Sequence, residues 1–392
     1  MFCLPTLLCA ALLQDPLTSQ LPKEDLGVAA FLEKFPEYDG RGIRVAVMDT
    51  GIDPGHPFLQ TTSTGARKIV DWYDATTDGR LQIQYRTQAD EGSLIGLSGR
   101  RLELGKYAAA GREFGLIRIG LDFLPDGLEG RIQGDRKGDW STQKRIYQER
   151  QARMQAEGDS KTVLASEEAK RFESFKDDGP VWDILVFEQN GKTVLVVDND
   201  EDGNIDEEPA LHSFRESGDW ATLGDESLLN YCVSFESEDE VHFYFDAHGH
   251  GTHVAGIIGA WEGLDGRMNG IAPGVEFVAI KIGDGKFGGS TSGFAISKAL
   301  DYAVEAGCQV ANISFGGPSF FADGLEPDGW VIEEATRRGL CVVTSAGNEG
   351  PSLTTVGAPA TTSAAFSIAA AIWPGTQRAN YSSLNPSDPI LF

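Results

Sequence analysis

Three short stretches carry residues that could do chemistry together. Asp49 stands in Asp49-Thr50-Gly51, directly after the run IRVAVM at 43–48. His250 stands in HGHGTHVAGIIGA at 248–260, and Asn348 in SAGNEGP at 345–351. A carboxylate can fix the tautomer of an imidazole and stabilise its cation. The imidazole can then act as a general base, and a carboxamide can donate to a developing oxyanion. Each residue taken singly has a plainer reading: Asp49 as a turn former or helix cap, Asn348 as a glycine-loop turn residue, His250 as a structural histidine. His248, His250 and His253 with Asp246 also offer metal ligands. The His250 to His253 step, however, matches neither HExxH nor a common zinc spacing.

The elements that must position these groups alternate between strand and helix. Residues 43–48 are a β-branched run of the kind buried in a parallel sheet, and polar residues at the carboxyl end of such a strand sit where open α/β sheets place their sites. In 248–260 the glycines permit close backbone approach, while Val254, Ala255, Ile257 and Ile258 give the ensuing helix a packable face. Downstream, the pattern predicts strands at 276–280, 309–313 and 340–344 and helices at 293–306 and 328–338. Asn348 therefore follows a buried strand, as Asp49 does. Alternation of this kind implies right-handed crossovers and an α/β fold: a parallel sheet with helices on both faces.

Residues 84–245 interrupt that alternation with a large α+β insert. Residues 140–176 are heavily charged and predict one or two solvated helices. Residues 183–187 and 193–197 predict a β-hairpin turning at Glu188-Gln189-Asn190-Gly191. The acidic stretch DNDEDGNIDEE follows at 198–208. Asp198, Asp200 and Asp202 ahead of Gly203 repeat the opening of a calcium loop, with the Asn204 carbonyl and Asp206 as further oxygen donors. Pro209 stands where an EF-hand needs its bidentate glutamate, so this is no EF-hand. A solvated acidic turn and a weak structural calcium site are the two readings.

Composition narrows the partners. Asp and Glu outnumber Lys and Arg by 59 to 33, a formal charge of −26, which disfavours nucleic acid and anionic membranes. The five cysteines are unpatterned and imply neither a disulfide scaffold nor a CxxC zinc site. Residues 2–13 are apolar but too short to span a membrane. They suit the core of a signal peptide for export to periplasm or medium, although no Lys or Arg precedes them and no clear cleavage site follows. A disordered tail over 1–20 or a mis-set start codon are the other readings.

In this order, Asp-Thr-Gly, His-Gly-Thr-His-Val-Ala-Gly and Ser-Ala-Gly-Asn resemble the motifs of the subtilisin-like serine peptidases. FPEYDGRG at 35–42, LIGLSGR at 94–100, the DGPVWD and DGNID segments and the 201-position Asp-to-His separation are similar to the tripeptidyl peptidase II branch. The resemblance runs from about residue 21 to the end. It implies a peptidase domain over 21–83 and 246–392 with the insert at 84–245. Asp49 would orient His250, His250 would be the base, and Asn348 the oxyanion donor. Ser314-Phe315-Gly316-Gly317 would form a strand pairing with substrate backbone, with 288–293 on the opposite rim. The substrates implied are peptides or proteins, with no cofactor required and with room for oligomerisation of the full-length protein.

The sequence departs from the family pattern at the nucleophile. No serine after Asn348 has Gly-Thr before it and a small-residue helix after it. Ser382 and Ser383 lie in a predicted loop, and Ser290 and Ser292 belong to the rim. A chain cut short before the nucleophile is the favoured expectation, a non-catalytic peptide-binding relative the alternative. The acids that hold a substrate's free amino terminus in the tripeptidyl branch would fall at Gly317 and near Thr291, neither acidic. Asp284 is the nearest carboxylate upstream. An endopeptidase, or an exopeptidase with a loose ruler, is therefore expected.

Overall fold

The computed structural model describes residues 21–109, 113–156, 170, 172–263, 266–287, 289–319, 325–350 and 352–371. Residues 2–13, Gly288, Ser382 and Ser383 lie outside the described residues. The chain forms two compact units. One comprises the described parts of Met1–Thr76, Tyr244–Gly283 and Thr291–Phe392; the other comprises Thr77–Phe243 and Asp284–Ser290.

The first unit is built on six strands: β1 (Arg44–Asp49), β2 (Ile69–Asp74), β3 (Glu276–Lys281), β4 (Val310–Ile313), β5 (Cys341–Ser345) and β6 (Phe366–Ile368). Their order is β6-β5-β4-β1-β3-β2, and every pairing is parallel. Helices α1 (Val28–Lys34), α2 (His250–Gly259), α3 (Gly293–Glu305) and α4 (Pro327–Arg337) complete the unit. Five of the six β1 residues are buried, as expected of an apolar run with strands on both sides.

The sheet is covered on both faces. Ala46 and Met48 of β1 join Val278 and Ile280 of β3 in a cluster with α3 and α4. The buried residues of α3, Ala295, Ile296, Ala299, Leu300 and Ala303, recur at helical period, which is why this segment forms a one-faced helix. Asp49, next in the strand after Met48, points to the opposite face. There a Cβ on Gly251 of α2 would lie 3.0 Å from the Asp49 Cβ. Met48, Ile313 and Thr344 are in register across β1, β4 and β5, so Asp49 and the loops after β4 and β5 leave the sheet at one carboxyl edge.

The second unit holds two four-stranded sheets and a two-stranded ribbon. The expected hairpin is present as Val181–Gln189 and Lys192–Val197. Its turn places Asn190 at φ 53° and Gly191 at φ 77°, the left-handed pair of a type I′ turn. The charged segment forms a helix, Asp126–Ala156, that starts well before the predicted residue 140. Gly127, Gly130, Gly134 and Gly138 hide its opening turns from a propensity reading, and each faces open space. Arg136 fastens it through Asp177 and Glu226. Among the described residues no helix is long and apolar enough to cross a membrane.

Candidate active site

Asp49 closes β1 with its side chain fully buried, and its Oδ1 lies 2.7 Å from His250 Nδ1. The Thr50 N–H donates to the same oxygen at 2.8 Å. With the carboxylate ionised, Nδ1 carries the proton and Nε2 is left basic. Asp49 Oδ2 is buried without a hydrogen-bond partner among the described residues. Burial pushes the Asp49 carboxyl above its ordinary range, the His250 and Thr50 hydrogen bonds pull it back, and the nearby Asp246 charge pushes it up again. The His250 side chain keeps 45% of its surface exposed, so the imidazole is anchored at one nitrogen yet reachable. The Phe315 ring meets it nearly edge-on, centroids 6.4 Å apart.

Glycines allow this approach. Gly51 sits at φ 113°, and a Cβ on it would stand 2.7 Å from the Phe245 carbonyl oxygen. A Cβ on Gly251 would stand 2.0 Å from the Gly51 carbonyl oxygen, inside any permissible contact. The Asp-Thr-Gly turn and the first turn of α2 thus touch backbone to backbone.

Asn348 lies three residues past β5, in the loop at the carboxyl edge that also carries Asp49. Gly347 makes the turn at φ 104°, and Glu349 accepts the Asn348 N–H at 2.8 Å. The Asn348 side chain is exposed, its amide unengaged among the described residues. Ser314, Phe315 and Gly316 follow β4 at the same edge but outside a regular strand. Gly317 exchanges both backbone hydrogen bonds with Ala358, at 3.0 and 2.8 Å. Of the four residues expected to pair with substrate, Gly317 thus has both backbone groups committed within the unit.

The histidine metal site does not form. Among the described residues the one group disposed to hold a cation is Asp198, Asp200 and Asp202. Asp246 turns both oxygens to hydroxyls and backbone N–H groups, and His250 faces Asp49.

In the second unit the three aspartates bring one oxygen each within 4.8 Å of the others, a donor set that suits a hard cation. Asp198 is buried and already ion-paired with Arg100 at 2.6 Å, and burial pushes its carboxyl upward. Asn204 donates its N–H to Asp202 at 2.6 Å. Asp206 Oδ1 accepts from the Lys106 N–H at 2.6 Å, so this oxygen is engaged elsewhere.

Three features gave no usable sequence signal. Asp246 and Thr50 organise the start of α2. Lys68, fully buried, donates from Nζ to the carbonyls of Gly259 and Pro273, both at 2.5 Å, and so ties the carboxyl end of α2 to β2. Asp328 comes from α4 to the start of α3, where a Cβ on Gly293 would meet its Oδ1 at 2.7 Å. An acid thus stands against Gly293, the last residue of the 288–293 stretch, whose own sequence has none. Two residues earlier, the Thr291 hydroxyl is buried without a hydrogen-bond partner among the described residues. FPEYDGRG proves to be a staple: Asp39 takes Arg41 and Ser63, which holds it well below the usual carboxylate range, at about 2.

Residues 40–390 match the Subtilase family, peptidase S8. The chain belongs to the subtilase family. It is 31% identical to tripeptidyl-peptidase 2 of Oryza sativa subsp. japonica over 89% of its own length and 28% of that protein. It is 32% identical to tripeptidyl-peptidase 2 of Caenorhabditis elegans, covering 88% of this chain and 27% of that one. Pyrolysin of Pyrococcus furiosus is 28% identical over 88% of this chain and 26% of its own. The crystal structure of tripeptidyl peptidase 2 superposes with a TM-score of 0.65 at 21% identity, covering 89% of this chain and 30% of that one. The subtilisin-like α/β fold follows. The chain spans between about a quarter and three tenths of the length of these relatives.

Proposed function

We propose that this subtilase chain supplies the general-base half of a serine peptidase acting on peptides or proteins. Asp49 holds the His250 tautomer, Nε2 takes the proton of a serine hydroxyl, and Asn348 donates to the oxyanion of the tetrahedral intermediate. The observation that carries this reading is the 2.7 Å contact of a fully buried carboxylate with a half-exposed imidazole at the carboxyl edge of a parallel sheet. The resemblance to tripeptidyl-peptidase 2 favours peptide substrates. The absence of acids at positions 317 and 291 themselves favours internal cleavage or loose counting from the amino terminus, although Asp328 stands against Gly293.

The second reading is a module that binds peptide without cleaving it. A serine-directed fluorophosphonate and a fluorogenic peptide, applied to the purified chain and to the complete product of its reading frame, separate the two. Stoichiometric labelling that requires His250 supports the peptidase. Absence of labelling and turnover in both samples, with peptide binding intact, supports the binding module. Free and amino-acetylated peptides then report the mode: loss of cleavage on acetylation, with tripeptides as products, would overturn internal cleavage.

A further inference from the structure

The helix that carries His250 starts without a capping side chain of its own. Its N-cap is Gly249, at φ 81°. The first-turn N–H groups are taken from outside the helix. Thr50 Oγ1 accepts the Gly251 N–H at 3.0 Å, and Asp246 Oδ2 accepts the Thr252 N–H at 3.0 Å. Asp246 Oδ1 also accepts the His248 and Gly249 N–H groups at 3.0 and 2.9 Å. Two hydroxyls complete the set: Thr50 Oγ1 donates to Oδ1 at 2.6 Å, and Thr252 Oγ1 to Oδ2 at 2.5 Å. Thr252 Oγ1 in turn accepts the Asp53 N–H at 2.8 Å.

The connectivity matters more than the number of bonds. The residue after Asp49 is bonded through its hydroxyl to the residue after His250. A threonine hydroxyl rotates freely, and only a strong acceptor on its far side keeps its lone pair on the Gly251 N–H. Asp246 is that acceptor. A carboxylate suits the place because every group facing it donates, and charge-assisted bonds are shorter and stronger than neutral ones. It also lies at the positive end of the helix dipole.

We propose that Asp246 is a positioning residue for His250: through Thr50 and Thr252 it clamps the start of α2 to the Asp-Thr-Gly turn and so sets the Asp49–His250 distance. The proposal rests on the peptidase reading for its purpose but not for its test. Wild-type protein should show a low-field imidazole N–H resonance from the Nδ1 proton held by Asp49. Asp246→Asn keeps the shape but turns an N–H₂ group toward Thr252 or Thr50, where donors already stand. Thr50→Val removes the bridging hydroxyl, and Thr50→Ser restores it.

The expected result is loss of the resonance in Asp246→Asn and Thr50→Val, with a cooperative melt retained, and its return in Thr50→Ser. Should Asp246→Asn fail to fold, the Thr50 pair decides. Persistence of the resonance in Thr50→Val, or equal loss in Thr50→Ser, overturns the proposal. In the fluorophosphonate assay the maximal labelling rate should fall roughly 10²-fold in Thr50→Val, as for a misplaced catalytic group, while the half-saturating concentration stays constant. A wild-type protein that shows the resonance, with no label taken by either the chain or the complete product of its reading frame, would refute the peptidase reading and leave the positioning result standing.

Discussion

Asp49 and His250 are 201 positions apart, yet Oδ1 and Nδ1 meet at 2.7 Å. Both residues belong to the first unit, Asp49 at the end of a central strand and His250 at the start of the helix on that face. Most of the intervening chain folds as a unit of its own, with its own core around Leu102, Phe114, Leu185 and Val196. The long separation therefore leaves the pair's geometry to the contact between β1 and α2.

That contact predicts the effect of Gly251→Ala. The added methyl would stand 2.0 Å from a backbone oxygen, which no side-chain rotation relieves. Destabilisation of about 1–3 kcal/mol is expected, together with loss of the His250 low-field resonance. Urea denaturation of variant and wild type measures it. An unchanged midpoint with the resonance intact would show that α2 can shift without cost.

How much of this was legible in the sequence follows from where the information lies. The strand at 43–48 was readable as a short β-branched run, and the helix at 293–306 because burial of one face imposes a period on its apolar residues. The places of Asp49 and Asn348 after strands, and of His250 at a helix start, were readable because glycine-rich turns leave a recognisable local pattern. The start of the helix at Asp126 was not, since its opening carries four glycines and its hold comes from Arg136 ion pairs. Asp246 could be seen four residues before His250, but its five donors come partly from Thr50, nearly two hundred positions away. Lys68 and Asp328 gave no local sign, because their partners are set by tertiary packing alone.

Lys68 makes a prediction with a definite pH sign. Burial lowers its pKa to about 8 from an ordinary 10.5. The unfolded chain therefore holds the proton more tightly between pH 8 and 10.5, and stability should rise with pH across that window. The amplitude is on the order of 3 kcal/mol for a fully buried group. Other groups titrate there too, so the measurement is the difference in melting between wild type and Lys68→Met at several pH values. A difference that stays flat from pH 8 to 10.5 would mean that the two carbonyls hold Lys68 charged throughout.

For the acidic loop, weak calcium binding is expected, with a dissociation constant on the order of 10⁻³ M. Asp200 and Asp202 are exposed donors, whereas Asp198 must share its charge with Arg100. Calorimetry should show heat on adding calcium and none with Asp200→Asn/Asp202→Asn. Equal heat from both proteins would place the ion elsewhere, and none from either would leave a solvated turn.

The role proposed for Asp49 comes at a cost in stability, and Asp49→Asn should separate the two. Its carboxylate is fully buried, one oxygen lacks a partner among the described residues, and desolvation is the largest influence on its titration. A folded-state pKa raised above the unfolded value means that the folded protein binds the proton more readily. The favourable contribution of the protonated form is then lost as pH rises through the folded pKa, so at neutral pH the ionised side chain is a burden. The neutral, nearly isosteric asparagine should raise the melting temperature at pH 7, and the gain should shrink as pH falls toward the ordinary carboxylate range. Function should move the other way. Asparagine cannot hold an imidazolium, and an Asp→Asn change in such a triad costs on the order of 10⁴ in turnover, so labelling by the fluorophosphonate should all but vanish. Melting curves over a pH series beside labelling rates test both halves. A variant less stable than wild type at pH 7 would show that the hydrogen bonds of Oδ1 outweigh the burial of its charge.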